Sequence, residues 1–204
     1  MSINKYLKIN EVKEEIDNKT PAVFIQVIGS HGSGKSATVG KIKEKYGNKI
    51  KVLGKYSESN TTKGIYTGGM DAISGTNTKR FEIIKNAFLS NKKVVICEGF
   101  MVLYYSSFLS KYYELQEIRN RDVYIIYLTA DIDVLVKRIE KRSKGKKTTE
   151  KRYNKVKSIM KTSESGYNKL TQNDRFKLTK FDVSKIEFYK DVIDYISNII
   201  ERYL

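Results

Sequence analysis

Eight consecutive residues, Gly29-Ser30-His31-Gly32-Ser33-Gly34-Lys35-Ser36, have the types and spacing of a phosphate-binding loop. They fit the pattern G-x-x-x-x-G-K-[ST], whose glycines let successive backbone N–H groups converge on an anion. We expect Lys35 to bridge the β- and γ-phosphates of a nucleotide and the Ser36 hydroxyl to ligate Mg²⁺. The pattern therefore predicts a site for ATP and Mg²⁺.

The nucleotide-binding residues predicted within and just after this loop are Gly29, His31, Gly32, Ser33, Gly34, Lys35, Ser36 and Ala37. An apolar run over residues 22–28 precedes the loop and predicts a buried strand, and residues 37–46 predict a helix. The motif requires this strand–loop–helix context, because the helix N-terminus adds free N–H groups and the positive end of its dipole. His31 stands at a variable position of the motif, and we do not expect it to act in catalysis.

Strand and helix patterns alternate along the rest of the chain. Further strands are predicted over residues 49–56, 94–97, 123–128 and 176–178, and residues 57–76 are predicted as a long polar loop. Such alternation predicts right-handed crossovers and a parallel sheet. We therefore expect one α/β domain over residues 1–204, with a P-loop NTPase fold, a five-stranded parallel sheet, helices on both faces and a basic lid at about 138–165. Short helices are also predicted over residues 9–17 and after a capping box at 184–187.

Two carboxylates, one after a predicted strand and one after a pair of glycines, are candidates for metal binding and for acid–base catalysis. Glu98 comes directly after the third strand, where ligands of an open parallel sheet bind, and is the candidate metal ligand beside Ser36. Asp71 follows two adjacent glycines and is the candidate general base for a hydroxyl nucleophile. Glu58, just past another strand, is the alternative base.

Arg138 and Arg142 are the candidate cationic clamp. They stand four residues apart on a predicted helix, so both guanidinium groups face the same side. A transferring phosphoryl group depends on such cations for stabilisation. We therefore place Lys35, Asp71, Arg138 and Arg142 in the catalytic set.

The charge is strongly basic and concentrated in one segment. The net charge is +16, and residues 137–161 hold twelve Lys or Arg side chains against two Glu. Such a segment can be an ordinary solvated helical face, but it also suits a polyanion, so DNA is the predicted partner. A single cysteine, the lack of a signal-like N-terminus and the lack of a long apolar run predict a cytoplasmic protein with no membrane contact.

The motif, the strand ending in Glu98-Gly99 and the Arg138-x-x-x-Arg142 pair resemble the P-loop nucleoside, nucleotide and polynucleotide kinase superfamily. More narrowly, the run 66–71 followed by Glu98-Gly99-Phe100 resembles small phage-type kinases, among them enzymes that phosphorylate 5-hydroxymethyluracil in DNA. This resemblance implies that Asp71 faces the acceptor, Glu98 the metal, and the two arginines the γ-phosphate.

These observations predict an ATP-dependent kinase that transfers phosphate to a hydroxyl of a nucleic acid, most simply a hydroxymethylated base in DNA. Two alternatives stay open. One is a soluble kinase of nucleosides or nucleoside monophosphates, and the other is a P-loop NTPase that is not a kinase.

Overall fold

The structure is a computed structural model that describes residues 17–59, 62–99, 106–143, 145–172, 174–185 and 187–204. The predicted helix over residues 9–17 lies outside these ranges except for its last residue. The strands are β1 (Val23–Gly29), β2 (Lys51–Leu53), β3 (Lys55–Ser59), β4 (Thr62–Gly69), β5 (Val94–Glu98), β6 (Asp122–Thr129) and β7 (Lys177–Asp182). The helices are α1 (Lys35–Tyr46), α2 (Asn77–Phe88), α3 (Ser106–Ile118), α4 (Ile132–Arg142), α5 (Glu150–Leu170) and α6 (Phe188–Glu201).

Five of the strands form one parallel sheet in the order β2-β5-β1-β6-β7. The predicted α/β fold with a five-stranded parallel sheet is confirmed. β1 lies at the centre, and each of its seven residues is buried. A strand buried on both faces carries an unbroken apolar run rather than an alternating one, which is why residues 22–28 are so apolar.

The sheet separates two apolar cores, because successive side chains of a strand point to opposite faces. On one face Phe24 of β1 packs with Phe88 of α2 and Tyr112 of α3. On the other face Ile25 belongs to a cluster with Ile42 of α1 and further residues of α4 and α6. The helices on both faces hold the sheet rigid, so the ends of its strands can position a site.

Residues 57–76 differ from the predicted polar loop. They contain most of an antiparallel hairpin, β3–β4, followed by a 3₁₀ turn over Met70–Ala72. The predicted strand 49–56 is divided at Gly54, where φ is +116° and a Cβ would lie 2.7 Å from the carbonyl carbon of Gly69. Tyr56 and Tyr66 are aromatic and favour strands, but the Ser and Gly residues around them are typical of loops, so the sequence pattern predicted a loop.

Helix starts also differ in detail from the prediction. Thr76 and Thr149 cap α2 and α5 through their hydroxyls, at 3.3 Å from Lys79 N and Arg152 N. The predicted capping box at 184–187 does not form, because α6 begins at Phe188 and the Ser184 hydroxyl donates to Asp182 Oδ1 instead, at 2.6 Å.

Candidate phosphoryl-transfer site

The phosphate-binding motif forms the turn between the central strand β1 and α1. Its glycines take conformations that other residues rarely adopt, with φ of +84° at Gly32 and +89° at Gly34. The Ser33 hydroxyl donates to Ser30 O at 2.9 Å and closes the loop on itself. The chain therefore curls as a phosphate cradle does, with the N-terminus of α1 at its end.

Lys35 reaches back across this loop. Its Nζ donates to Ser30 O at 3.0 Å, and the side chain is only 8% exposed. A lysine ammonium held against the loop in this way suits the outer phosphates of a nucleotide. The structure thus brings Lys35 and the loop together as the motif predicted.

Ser36 and Glu98 meet at the ends of neighbouring elements. Glu98 ends β5, which pairs with β1, and its side chain is only 2% exposed. Its Oε1 accepts a hydrogen bond from Ser36 Oγ at 2.9 Å. Two adjacent ligands of an octahedral Mg²⁺, each about 2.1 Å from the ion, are themselves about 3.0 Å apart. The two oxygens therefore fit a Mg²⁺ site in both chemistry and spacing.

The segment that carries Asp71 lies against this pair. Ser36 Oγ is also 3.1 Å from Gly68 O, and a Cβ on Gly69 would overlap Glu98 Oε1. Gly69 has φ of +111°, so both its conformation and its surroundings require glycine. Asp71 follows two residues later, in the 3₁₀ turn. Its backbone is therefore held close to the candidate metal ligands.

Glu58, the alternative base, stands elsewhere on the hairpin. In the β3–β4 register Lys55 pairs with Gly69 at the end nearest the site, whereas Glu58 pairs with Tyr66. Three residues along a strand correspond to about 10 Å. The Glu58 position is therefore set back along the hairpin from the strand end at which Gly69 contacts Glu98.

A basic cavity opens beside the loop. It has a volume of about 270 Å³ and is lined by His31, Ile139, Arg142, Arg152, Lys155 and Val156. Burial lowers the pKa of Arg142, and the nearby positive charge of Arg152 lowers it further. Cations that face one cavity repel each other unless an anion lies between them.

Arg152 and Lys155 belong to the basic segment, but the sequence spacing did not distinguish them from the other cations of that segment.

Arg138 is turned away from this cavity. Its Nη2 donates to Val183 O at 2.6 Å and to Ser184 O at 3.3 Å, in the loop between β7 and α6. Its guanidinium lies 5.5 Å from the ring centre of Tyr189. The two arginines predicted as one clamp therefore both lie near Tyr189, but only Arg138 bonds the β7–α6 loop and only Arg142 lines the cavity.

Solved structures of other proteins share this architecture. Over 92% of the chain and 97% of the other protein, it matches shikimate kinase from Acinetobacter baumannii in complex with shikimate, with a TM-score of 0.51 and 15% identity. Over 86% and 96%, it matches the YorR protein from Bacillus subtilis in complex with phosphorylated GDP, with a TM-score of 0.52 and 18% identity. No protein-family model and no curated protein sequence matches the chain.

The expected nucleic-acid partner is wrong. The matching structures are kinases of small molecules or hold small ligands, namely shikimate and phosphorylated GDP. The basic segment has a simpler explanation, because its α5 cations at Lys151, Lys155, Lys157 and Lys161 are exposed. At about 100° per residue they share one arc of roughly 160°, the width of an ordinary solvated helix face.

No helix within the described residues is long and apolar enough to cross a membrane. The loop, Ser36, Glu98 and the basic cavity converge at the carboxyl ends of the central strands. The chain has the fold of P-loop kinases.

Proposed function

We propose that this protein is an ATP-dependent kinase that phosphorylates a small molecule. The observation that carries the proposal is the meeting of Lys35, Ser36 and Glu98 at the carboxyl ends of β1 and β5. An NTP-binding loop and an adjacent carboxylate supply the two parts that phosphoryl transfer needs, a phosphate cradle and a metal site. The fold shared with kinases supports the same reaction class.

The residues have separate roles in this proposal. Backbone N–H groups of residues 32–37 and the Lys35 ammonium hold the phosphates. Ser36 and Glu98 hold Mg²⁺, which when bound neutralises charge on the β- and γ-phosphates. Arg142, with Arg152 and Lys155 from the other side of the cavity, stabilises the negative charge on the transferring group.

Asp71 is the proposed base. Its turn follows Gly69, which contacts Glu98, so an acceptor hydroxyl bound there would lie beside the metal site. In this role its carboxylate accepts the hydroxyl proton as that oxygen attacks the γ-phosphorus and ADP leaves. Glu58 stands three residue pairs from the Gly69 end of the hairpin, and it is the alternative base to test beside Asp71.

The acceptor class follows from the ligands of the matching proteins. One holds a hydroxylated carboxylic acid, shikimate, and the other holds a nucleotide, phosphorylated GDP. A nucleoside, a nucleoside monophosphate and a hydroxy acid are therefore the acceptors to test first.

The experiment supplies MgATP labelled in the γ-phosphate to the purified chain, with these acceptors singly and with the small-molecule fraction of a cell extract. Mass spectrometry then identifies every labelled product. We expect acceptor-dependent formation of ADP and a labelled phosphate ester or anhydride. Label found only in inorganic phosphate, at a rate that no acceptor changes, would instead indicate an NTPase that is not a kinase.

A further inference from the structure

Tyr189 is the residue of α6 that reaches the phosphate-binding loop. It stands in the first turn of α6, and its hydroxyl donates to Ser33 O at 2.8 Å across 156 residues of sequence. A Cβ on Gly34 would overlap this hydroxyl, so the Tyr189 ring occupies the space that glycine leaves. The aromatic side chain is therefore fitted to the loop.

The hydrogen bond from Tyr189 to Ser33 O orients the whole Ser33–Gly34 peptide unit. Ser33 C=O and Gly34 N–H belong to the same planar trans peptide and point in opposite directions. With Ser33 O held toward α6 by this bond, the Gly34 N–H is directed away from Tyr189. Burial raises the pKa of Tyr189, so the hydroxyl keeps the proton that it donates.

Arg138 in turn holds the Tyr189 ring. Its guanidinium lies against the ring at 5.5 Å, while Nη2 is anchored to Val183 O and Ser184 O. Its Nη1 is buried and has no hydrogen-bond partner among the described residues. Because Nη1 is closed off from solvent, a phosphate cannot reach it in this conformation.

We propose that Tyr189 is a positioning residue for the phosphates, and that Arg138 acts through Tyr189 rather than on the γ-phosphate. This inference rests on the proposed function, since it concerns the same phosphate site. Tyr189 presets the Ser33–Gly34 peptide for anion binding, and Arg138 and the β7–α6 loop keep the ring in place. A loop set in advance avoids the cost of ordering a peptide when the nucleotide binds.

The test compares Tyr189→Phe with Tyr195→Phe on the same helix. Tyr195 is the matched control, because its hydroxyl is 2.6 Å from Thr179 Oγ1 of β7. Dissociation constants for MgATP, and inhibition constants for inorganic tripolyphosphate, separate phosphate binding from base binding. We expect Tyr189→Phe to lower the affinity for both ligands roughly tenfold, because the buried Ser33 carbonyl loses its hydrogen-bond donor. Turnover at saturating ATP and the melting temperature stay close to those of Tyr195→Phe.

Arg138→Met and the double variant test the second half of the inference. If Arg138 acts through Tyr189, Arg138→Met weakens the binding of MgATP and tripolyphosphate with little effect on kcat. The double variant, Arg138→Met with Tyr189→Phe, then binds both ligands no more weakly than the single variant of lower affinity. A large loss of kcat at saturating ATP in Arg138→Met would place Arg138 on the transferring phosphate and overturn this half.

Failure of the inference can be told apart from failure of the proposed function. If the wild-type chain does not bind MgATP, the proposed function fails. If the wild-type chain binds MgATP and Lys35→Ala does not, but Tyr189→Phe binds as tightly as Tyr195→Phe, only the role of Tyr189 is overturned.

Discussion

Ser36 Oγ lies 2.9 Å from Glu98 Oε1, although 62 residues separate the two in sequence. The contact forms because Ser36 stands in the first turn of the helix that follows β1, while Glu98 ends β5, the parallel neighbour of β1. Parallel strands end at the same edge of a sheet, so the residues that follow them meet there. The candidate metal site is therefore a direct consequence of strand order.

Lys35→Ala is expected to abolish nucleotide binding and turnover while leaving the fold intact. The Lys35 ammonium donates to a loop carbonyl, so its loss removes positive charge from the phosphate site. Isothermal titration with MgATP measures the effect. Lys41→Ala is the matched control in the same helix, because Lys41 is exposed and pairs with Glu44. Nucleotide binding by Lys35→Ala equal to that of the control would contradict the assignment.

Gly69→Ala is expected to impair the metal site selectively. The new Cβ would overlap the Glu98 carboxylate and displace it from Ser36, so ATP binding should lose most of its dependence on Mg²⁺. Titrations of ATP with and without Mg²⁺ report this without any activity assay. Gly47→Ala controls for backbone strain, because Gly47 also has a positive φ, +51°, but has nothing within 4 Å of its Cβ position. The same Mg²⁺ dependence in both variants would exclude the proposed coupling.

Arg142→Gln is expected to lower kcat by roughly ten- to a thousand-fold, with a smaller change in affinity for ATP. Arg142 lines the basic cavity beside the loop, where charge develops during transfer. Lys157→Gln removes one positive charge from an exposed site on α5 that does not line the cavity, and should leave kcat unchanged. Steady-state kinetics of both variants tests the pair. An effect confined to KM for ATP would assign Arg142 to ground-state binding.

Asp182→Ala is expected to lower stability in a pH-dependent way. Hydrogen bonds from the Ser184 hydroxyl and backbone hold the pKa of Asp182 below its usual value of 3.8. A depressed carboxyl pKa stabilises the fold above the unfolded pKa, and this contribution is lost as pH falls through the folded pKa. The difference in melting temperature between wild type and variant should therefore be present at pH 7 and shrink below about pH 4. A difference that does not change with pH would show that the charge of Asp182 has no part in it.

The sequence alone identified the parts of the site that are contiguous or tied to a strand end. Lys35 and Ser36 could be predicted because the phosphate-binding loop is one unbroken segment whose geometry its own glycines set. Glu98 could be predicted because the apolar run before it has to be a buried strand, and strand ends are where ligands bind in such sheets. The five-stranded parallel sheet followed from the same alternation of strands and helices.

Only the tertiary structure decided which distant residues meet. The four-residue spacing put Arg138 and Arg142 on one side of α4, and both lie near Tyr189. Their other partners differ, because Arg138 bonds the β7–α6 loop whereas Arg142 lines the basic cavity. The contacts of Tyr189 with Ser33 and of Gly69 with Glu98 depend on how α6 and the β3–β4 hairpin pack against the loop. Local spacing fixes the direction of a side chain, whereas its partner is fixed by the packing of elements far apart in the chain.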